Sequence, residues 1–204
     1  MSVASVLTAI GDKLRSILGG TTKYKLDAMP AAIDQVYKKG QQAEYDRFWD
    51  EYQQNGTRTN YSYAFAGSAW TDASATPKYP IGTGSGLNIN YCFYYSTYLT
   101  KTPLIKSVSW AAFSGTFQQA KALVEINIEG KIGKSFSVEH CSLLDAPSIE
   151  RICSCLIATD TVQTLTFNAA AKTTYYNAHK DEYSNADEAW LALAGKYPTW
   201  NLVA

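Results

Sequence analysis

The chain has 204 residues and a mass of 22.5 kDa, the size of one ordinary domain or of one domain with a helical appendage, and 46% hydrophobic residues suffice for a core. Eighteen basic residues balance 18 acidic ones, and the balance holds on either side of Gly56, with seven of each before it and eleven of each after. Phosphate-driven nucleic-acid binding and an electrostatic membrane anchor are therefore not expected.

At the N-terminus, Val3, Val6, Leu7, Ile10, Leu14, Ile17 and Leu18 fall at helical spacing and form one apolar stripe, which Gly19-Gly20 ends. The segment lacks a basic n-region, and Asp12, Lys13 and Arg15 interrupt its apolar run, so it reads as mature protein made in the cytosol and not as a signal peptide. A narrow stripe cannot bury itself. It either docks on its own domain or meets copies of itself. The expectation taken here is self-association as a homo-oligomer, with a trimer the expected number. A second helix is expected after Asp27 and Pro30, with Met29, Ile33, Val36 and Tyr37 on one face. A third, Gln41 to Gln54, carries Tyr45, Phe48, Trp49 and Tyr52 and stops at Asn55-Gly56. Residues 1–56 are thus read as a helical oligomerisation or attachment segment. The acidic residues Glu44, Asp46, Asp50 and Glu51 read as a solvated face.

Residues 57–86 are rich in Thr, Ser, Gly, Tyr and Pro and poor in aliphatics, and read as an irregular connector. Tyr61, Tyr63, Phe65 and Trp70 predict that it is an ordered loop packed on a domain. The run Gly82 to Gly86 lacks the Lys-Ser/Thr and the strand-loop-helix frame of a phosphate loop, so no nucleotide site is expected.

From Leu87 onward short strand-like pieces recur: Leu87–Tyr91, Ile105–Trp110, Leu123–Gly130, a piece within Lys134–Leu144, Thr164–Phe167 and Trp200–Val203. Ile89, Val108 and Ile128 are spaced nineteen and twenty residues apart, and a Leu stands three residues before an Ile-x-Ile core, the signature of a leucine-rich solenoid. Asp145 and Pro147 predict the start of a helix that buries Ile149, Ile152, Cys153 and Leu156. A second helix is expected over Ala186–Ala194, with Trp190, Leu191 and Leu193 inward and Gly195 after it, followed by the last strand. The predicted class is α+β: an N-terminal helical segment, then a short leucine-rich-repeat-like β/α solenoid over 87–204 with a C-terminal helix-strand cap.

The pieces KLRSILGGTTKYKLDAMPAAIDQVY, AEYDRFWDEYQQNG with YAFAGSAW, LVEINIEGKIG with FSVEHCSLLDAPSIERI, and TLTF with EAWLALAGKYPTWNLV occur in that order. In them the chain resembles the BspA-type leucine-rich-repeat proteins of tailed phages and prophages of Firmicutes. The resemblance implies a virion protein associated with the tail tip or a tail fibre. It would contact a host surface receptor or other virion proteins through its repeat face. It implies no catalytic residue and no cofactor. The alternative is a prophage-encoded intracellular protein that binds and modulates a host protein.

Fifteen tyrosines stand in the chain, and Tyr91, Tyr94, Tyr95 and Tyr98 fall within eight residues. Such residues either fill strands and repeat faces or build a binding surface, because Tyr supplies contact area at low entropy cost. With Trp110 they are the candidate binding residues. Cys92, Cys141, Cys153 and Cys155 lack paired metal spacing and read as small buried hydrophobes, so no metal site is expected. His140 beside Cys141 makes a poor dyad, and His179 reads as a surface residue. Glu125, Glu129 and Glu139 read as outward-facing strand residues, and no enzyme is expected, a glycan-cleaving tail protein being a minor reading.

Overall fold

Short extended pieces gain ladder hydrogen bonds only by lying beside other pieces, and among the described residues the pairing is parallel throughout. The structure is a computed structural model that describes residues 12–13, 59–68, 70–73, 81–82 and 86–204. The chain divides into two compact units, Met1–Tyr45 and Asp46–Ala204. In the first, Asp12 and Lys13 are helical and exposed. The expected oligomerisation residues Val3, Val6, Leu7, Ile10, Leu14, Ile17 and Leu18 lie outside the described residues, as do the two helices expected after them.

The described part of the second unit is mixed α and β. Its elements run β1 (Ile105–Ser107), β2 (Ile128–Gly130), β3 (Phe136–Val138), α1 (Ala146–Ser154), β4 (Gln163–Phe167), α2 (Ala170–Ala178), α3 (Ala186–Gly195) and β5 (Trp200–Val203). Two small parallel sheets form, β1-β2 and β3-β4-β5. Single parallel bridges continue the pairing elsewhere: Asn60 with Asn88 and Asn88 with Ala112, Asp72 with Lys101 and Lys101 with Glu125, and Ile81 with Ile105. Residues 59–68 and 70–73, irregular in composition, are therefore paired with the segment that follows them.

The strands are shorter than the sequence predicts. Leu87–Tyr91 contributes one bridge, at Asn88, and then bends into turns, while Ile105–Trp110 and Leu123–Gly130 each keep only three strand residues. The even spacing of Ile89, Val108 and Ile128 does not follow the pairing. Ile128 pairs with Ile105 and not with Val108, and Ile105 pairs with Ile81, so these paired residues stand more than twenty apart. Ile81, Ile105 and Ile128 are buried and stand one behind another in register. Ile89 and Val108 belong to different sides of successive segments, and a period read across them mixes two columns.

The predicted cap of α1 is present: the Asp145 carboxylate accepts the N–H of Ser148, and Pro147 sits in the first turn, where its missing N–H costs nothing. Ile149, Ile152 and Cys153 are buried on it, and Leu156 is buried beyond its end, bridging to Ile132. In α3 the buried residues are Ala189, Trp190 and Leu193; Leu191, expected inward, is 72% exposed because it lies about 100° round the helix from Trp190. Gly195 is the last helical residue and does not follow the helix. Helix α2 is not predicted by the sequence. Its Thr173-Thr174 pair and polar face hide the period, and its N-cap residue Ala169 makes no side-chain cap. Asn168 supplies a partner instead, accepting the Ala170 N–H and donating to the Glu139 carbonyl.

A column of buried aromatics runs through the early segments. Phe65 stacks on Phe93 at 5.9 Å and Phe93 on Phe117 at 6.1 Å, with Cys141 next, its thiol donating to the Phe117 carbonyl. Each such ring pair adds about 0.5–1.5 kcal/mol beyond burial. Phe93 is the central ring, so Phe93→Ala is expected to cost about 3–5 kcal/mol, read as a lowered urea midpoint with the slope retained. A loss below about 1 kcal/mol contradicts the column.

Candidate binding face

The candidate face grows out of one kind of backbone turn. Within residues 61–67 every second N–H donates to the next segment: Tyr61 to Asn88, Tyr63 to Asn90, Phe65 to Cys92 and Gly67 to Tyr94. The N–H groups between them curl back, Ala64 to Tyr61, Ala66 to Tyr63 and Ser68 to Phe65. Residues 89–95 repeat the pattern one segment on: Ile89, Tyr91, Phe93 and Tyr95 donate to Ala112, Ser114, Thr116 and Gln118. Asparagines open these turns. Asn60 and Asn88 accept the N–H two residues ahead, from Ser62 and Asn90, and the Asn90 carboxamide accepts from Ser114 across the segments.

The third residue of each alternate turn has positive φ, the position that favours Gly or Asn. In the first segment these residues are Tyr63 (58°) and Gly67 (66°), in the second Tyr91 (55°) and Tyr95 (56°), in the third Gly115 (61°) and Gln119 (64°). They include every non-glycine residue of positive φ among the described residues. A side chain there costs about 1 kcal/mol relative to the right-handed region. The chain thus places tyrosine three times where glycine is cheaper and where equivalent turns use glycine.

Of the candidate residues, Tyr91, Tyr94 and Tyr95 come together, and Tyr63 joins them. Tyr63 and Tyr91 are stacked, with centroids 4.9 Å apart and planes 8° apart. Tyr94 meets Tyr91 edge-on at 5.7 Å and Tyr95 at 4.6 Å. Gly115 lets Tyr91 lie where it does, since a Cβ built on it would stand 2.3 Å from the ring. Tyr63, Tyr95 and Tyr98 are each more than half exposed. Trp110, also exposed, is part of a different feature, a groove of about 450 Å³ lined by Ser109, Gly133, Lys134, Asp160 and Gln163 among others. Sequence spacing groups Tyr91 to Tyr98 but misses Tyr63, whose partnership depends on the pairing of Asn60 with Asn88.

The carboxylates considered for hydrolysis each have a basic neighbour. Glu125 lies 3.4 Å from Lys101 and 3.6 Å from Arg151, Glu129 lies 3.1 Å from Lys106, and Glu139 lies 3.6 Å from His140. His179, read from the sequence as a surface residue, is largely covered. Its Nε2 lies 2.8 Å from Glu150 Oε1 and its Nδ1 2.9 Å from the Tyr175 carbonyl, which ties the end of α2 to α1. These groups border a hollow of about 400 Å³ with Glu182, Lys196 and Tyr197. Among the described residues no three His, Cys, Asp or Glu side chains are grouped as a metal site, and no helix is long and apolar enough to cross a membrane. No protein-family model, curated protein or solved structure matches the chain.

The four cysteines are free and buried. Burial pushes the Cys141 and Cys153 thiols up to about 12 and raises those of Cys92 and Cys155 as well. Below pH ~8.5 the thiols are neutral folded and unfolded. Above it the unfolded chain ionises first, so the folded state holds more protons and stability falls as pH rises. Urea unfolding at pH 8 and pH 10 is expected to differ by about 1–2 kcal/mol for each fully buried thiol. A flat profile contradicts this burial.

Proposed function

We propose that the second unit is a short leucine-rich-repeat-like β/α solenoid closed by a helix-strand cap, and that the chain is a structural and binding protein of a phage particle. On this reading it sits at the tail tip or on a tail fibre, is a virion component made in the host cytoplasm, and contacts a host surface receptor or another virion protein. The observation that carries the binding role is the pair of exposed tyrosines held at positive φ, Tyr63 and Tyr95, with the half-buried Tyr91, also at positive φ, stacked on Tyr63. Backbone strain retained for an exposed ring is the pattern of a functional surface. In-register parallel pairing from Asn60 to Ala112 and from Ile81 to Ile128 supports the repeat reading, because each segment buries its face against its neighbours. The phage assignment is supported by the resemblance of the quoted sequence pieces to the tail-associated family.

Two outcomes follow. Mass spectrometry of gradient-purified particles from an induced host is expected to find this chain in fixed proportion to tail proteins. Recovery only from the cell lysate overturns the virion reading and leaves the tyrosine face to a host-protein partner. Removing residues 1–20 is expected to lower the solution mass to that of a monomer by light scattering, because the stripe from Val3 to Leu18 holds the copies together. An unchanged oligomer removes that helix from assembly.

A further inference from the structure

We infer that the tyrosine corner is a binding site for an uncharged, polyhydroxylated chain, a neutral glycan. The inference rests on the binding reading above and names its ligand class.

The first support is charge. The three successive corner segments, residues 60–68, 88–100 and 112–120, contain no Asp, Glu, Lys, Arg or His at all. The next turn ends this neutrality with Glu139 and His140. In a chain that is 18% charged, a surface of three neutral segments gives a phosphate, a uronate or a basic peptide no counter-charge to pair with. Base stacking on aromatics would suit a single-stranded nucleic acid, but such sites also need a basic groove for the backbone.

The second support is geometry. The Tyr63–Tyr91 stack and the edge-on Tyr94 and Tyr95 offer aromatic faces and phenol tips side by side. A ring face carries the negative part of the quadrupole and attracts the weakly positive C–H face of a sugar ring, while phenol and amide groups exchange hydrogen bonds with its hydroxyls. Ser62, Ser114, Gln118 and Gln119 put hydroxyls and amides on the same corner segments, the Ser62 hydroxyl donating to Asn88 and the Gln119 amide lying 3.5 Å from His140. The third support is the strain itself. Tyr63, Tyr91 and Tyr95 occupy turn positions that Gly67 and Gly115 fill elsewhere, so the backbone turn itself does not call for the rings.

The same equivalence supplies variants that fold. Tyr63→Gly and Tyr95→Gly each install the residue that an equivalent turn already carries, and they remove backbone strain. The full chain is titrated, by tyrosine fluorescence and on an immobilised array, with neutral oligomers of glucose, galactose, rhamnose and N-acetylglucosamine and with their sulfated or uronate counterparts. The expected result is saturable binding of at least one neutral oligomer, with affinity changed less than about twofold between 0.05 and 0.5 M NaCl. Each glycine variant is expected to weaken it about tenfold or more while keeping its urea midpoint, and Leu191→Ser, at an exposed site on α3, to leave it unchanged. The proposal is overturned if no neutral oligomer binds, if only the charged counterparts bind, or if the glycine variants bind as the parent does. Adsorption of the chain to host cells separates the two readings. Adsorption that needs the tyrosines but is abolished by protease treatment of the cells sinks the glycan and keeps the binding role. Loss of both sinks the binding role as well.

Discussion

The structure depends on one arrangement of backbone hydrogen bonds: in the turns that start at Tyr61 and Ile89, alternate N–H groups leave for the next segment and the rest return to their own. The outgoing set acts as a strand does and the returning set as a turn does, so a corner of the chain stays paired to its neighbour while it bends. Ordinary strands lose their ladder where they turn. Here the ladder passes round the corner, and Phe65, Phe93 and Phe117 are carried into register as a result. The constraint that comes with it is a positive φ at every fourth residue, and this is the origin of the strain at the tyrosines.

A ladder that runs from segment to segment must end without leaving polar edges bare. Helix α1 takes the place of a further segment. Its buried Ser148 hydroxyl accepts the Ile126 N–H, the Asp145 N–H donates to the Val124 carbonyl, and Arg151 donates to the Asn127 side chain, which in turn bonds Thr102. At the far end Trp190 donates its indole N–H to the Leu202 carbonyl and Trp200 donates to that of Ile157. Among the described residues every buried side-chain nitrogen or oxygen has a partner. The hydroxyls and indoles named here thus perform for these edge groups what backbone pairing performs inside.

What the sequence made legible was local. The N-cap at Asp145, the helix over Ala186–Ala194, the pieces β4 and β5, and the burial of the cysteines each follow from a signal a few residues wide. What it concealed was the correspondence between segments. Ile89, Val108 and Ile128 are evenly spaced aliphatics, yet only Ile128 lies on the column through Ile105, because each segment carries several inward positions on different sides. Helix α2 was hidden for a related reason: its residues Ala171 and Tyr175 are buried by neighbouring elements, and no strong periodic stripe of its own announces it. The tyrosine cluster was half visible. Tyr91, Tyr94 and Tyr95 are near in sequence, whereas Tyr63 enters only through the pairing of Asn60 with Asn88.

The distribution of side chains over equivalent turn positions sets the extent of the face. The backbone demand is the same in all three corner segments, and glycine meets it at Gly67 and Gly115 at no steric cost. Tyrosine meets it at Tyr63, Tyr91 and Tyr95 at a cost of about 1 kcal/mol each. Exposed rings return little of that through burial, and Tyr63 and Tyr95 remain more than half exposed. Gly115 completes the pattern from the other side, since its missing Cβ is the space that Tyr91 occupies. Rings and glycines are therefore parts of one surface: the glycine seats a ring, and beyond it the turn carrying Glu139 and His140 introduces charge. The face runs from Tyr63 to the edge of that fourth turn; its ring pairs return about as much as the positive φ costs, and the exposed faces of Tyr63 and Tyr95 are left over for contact.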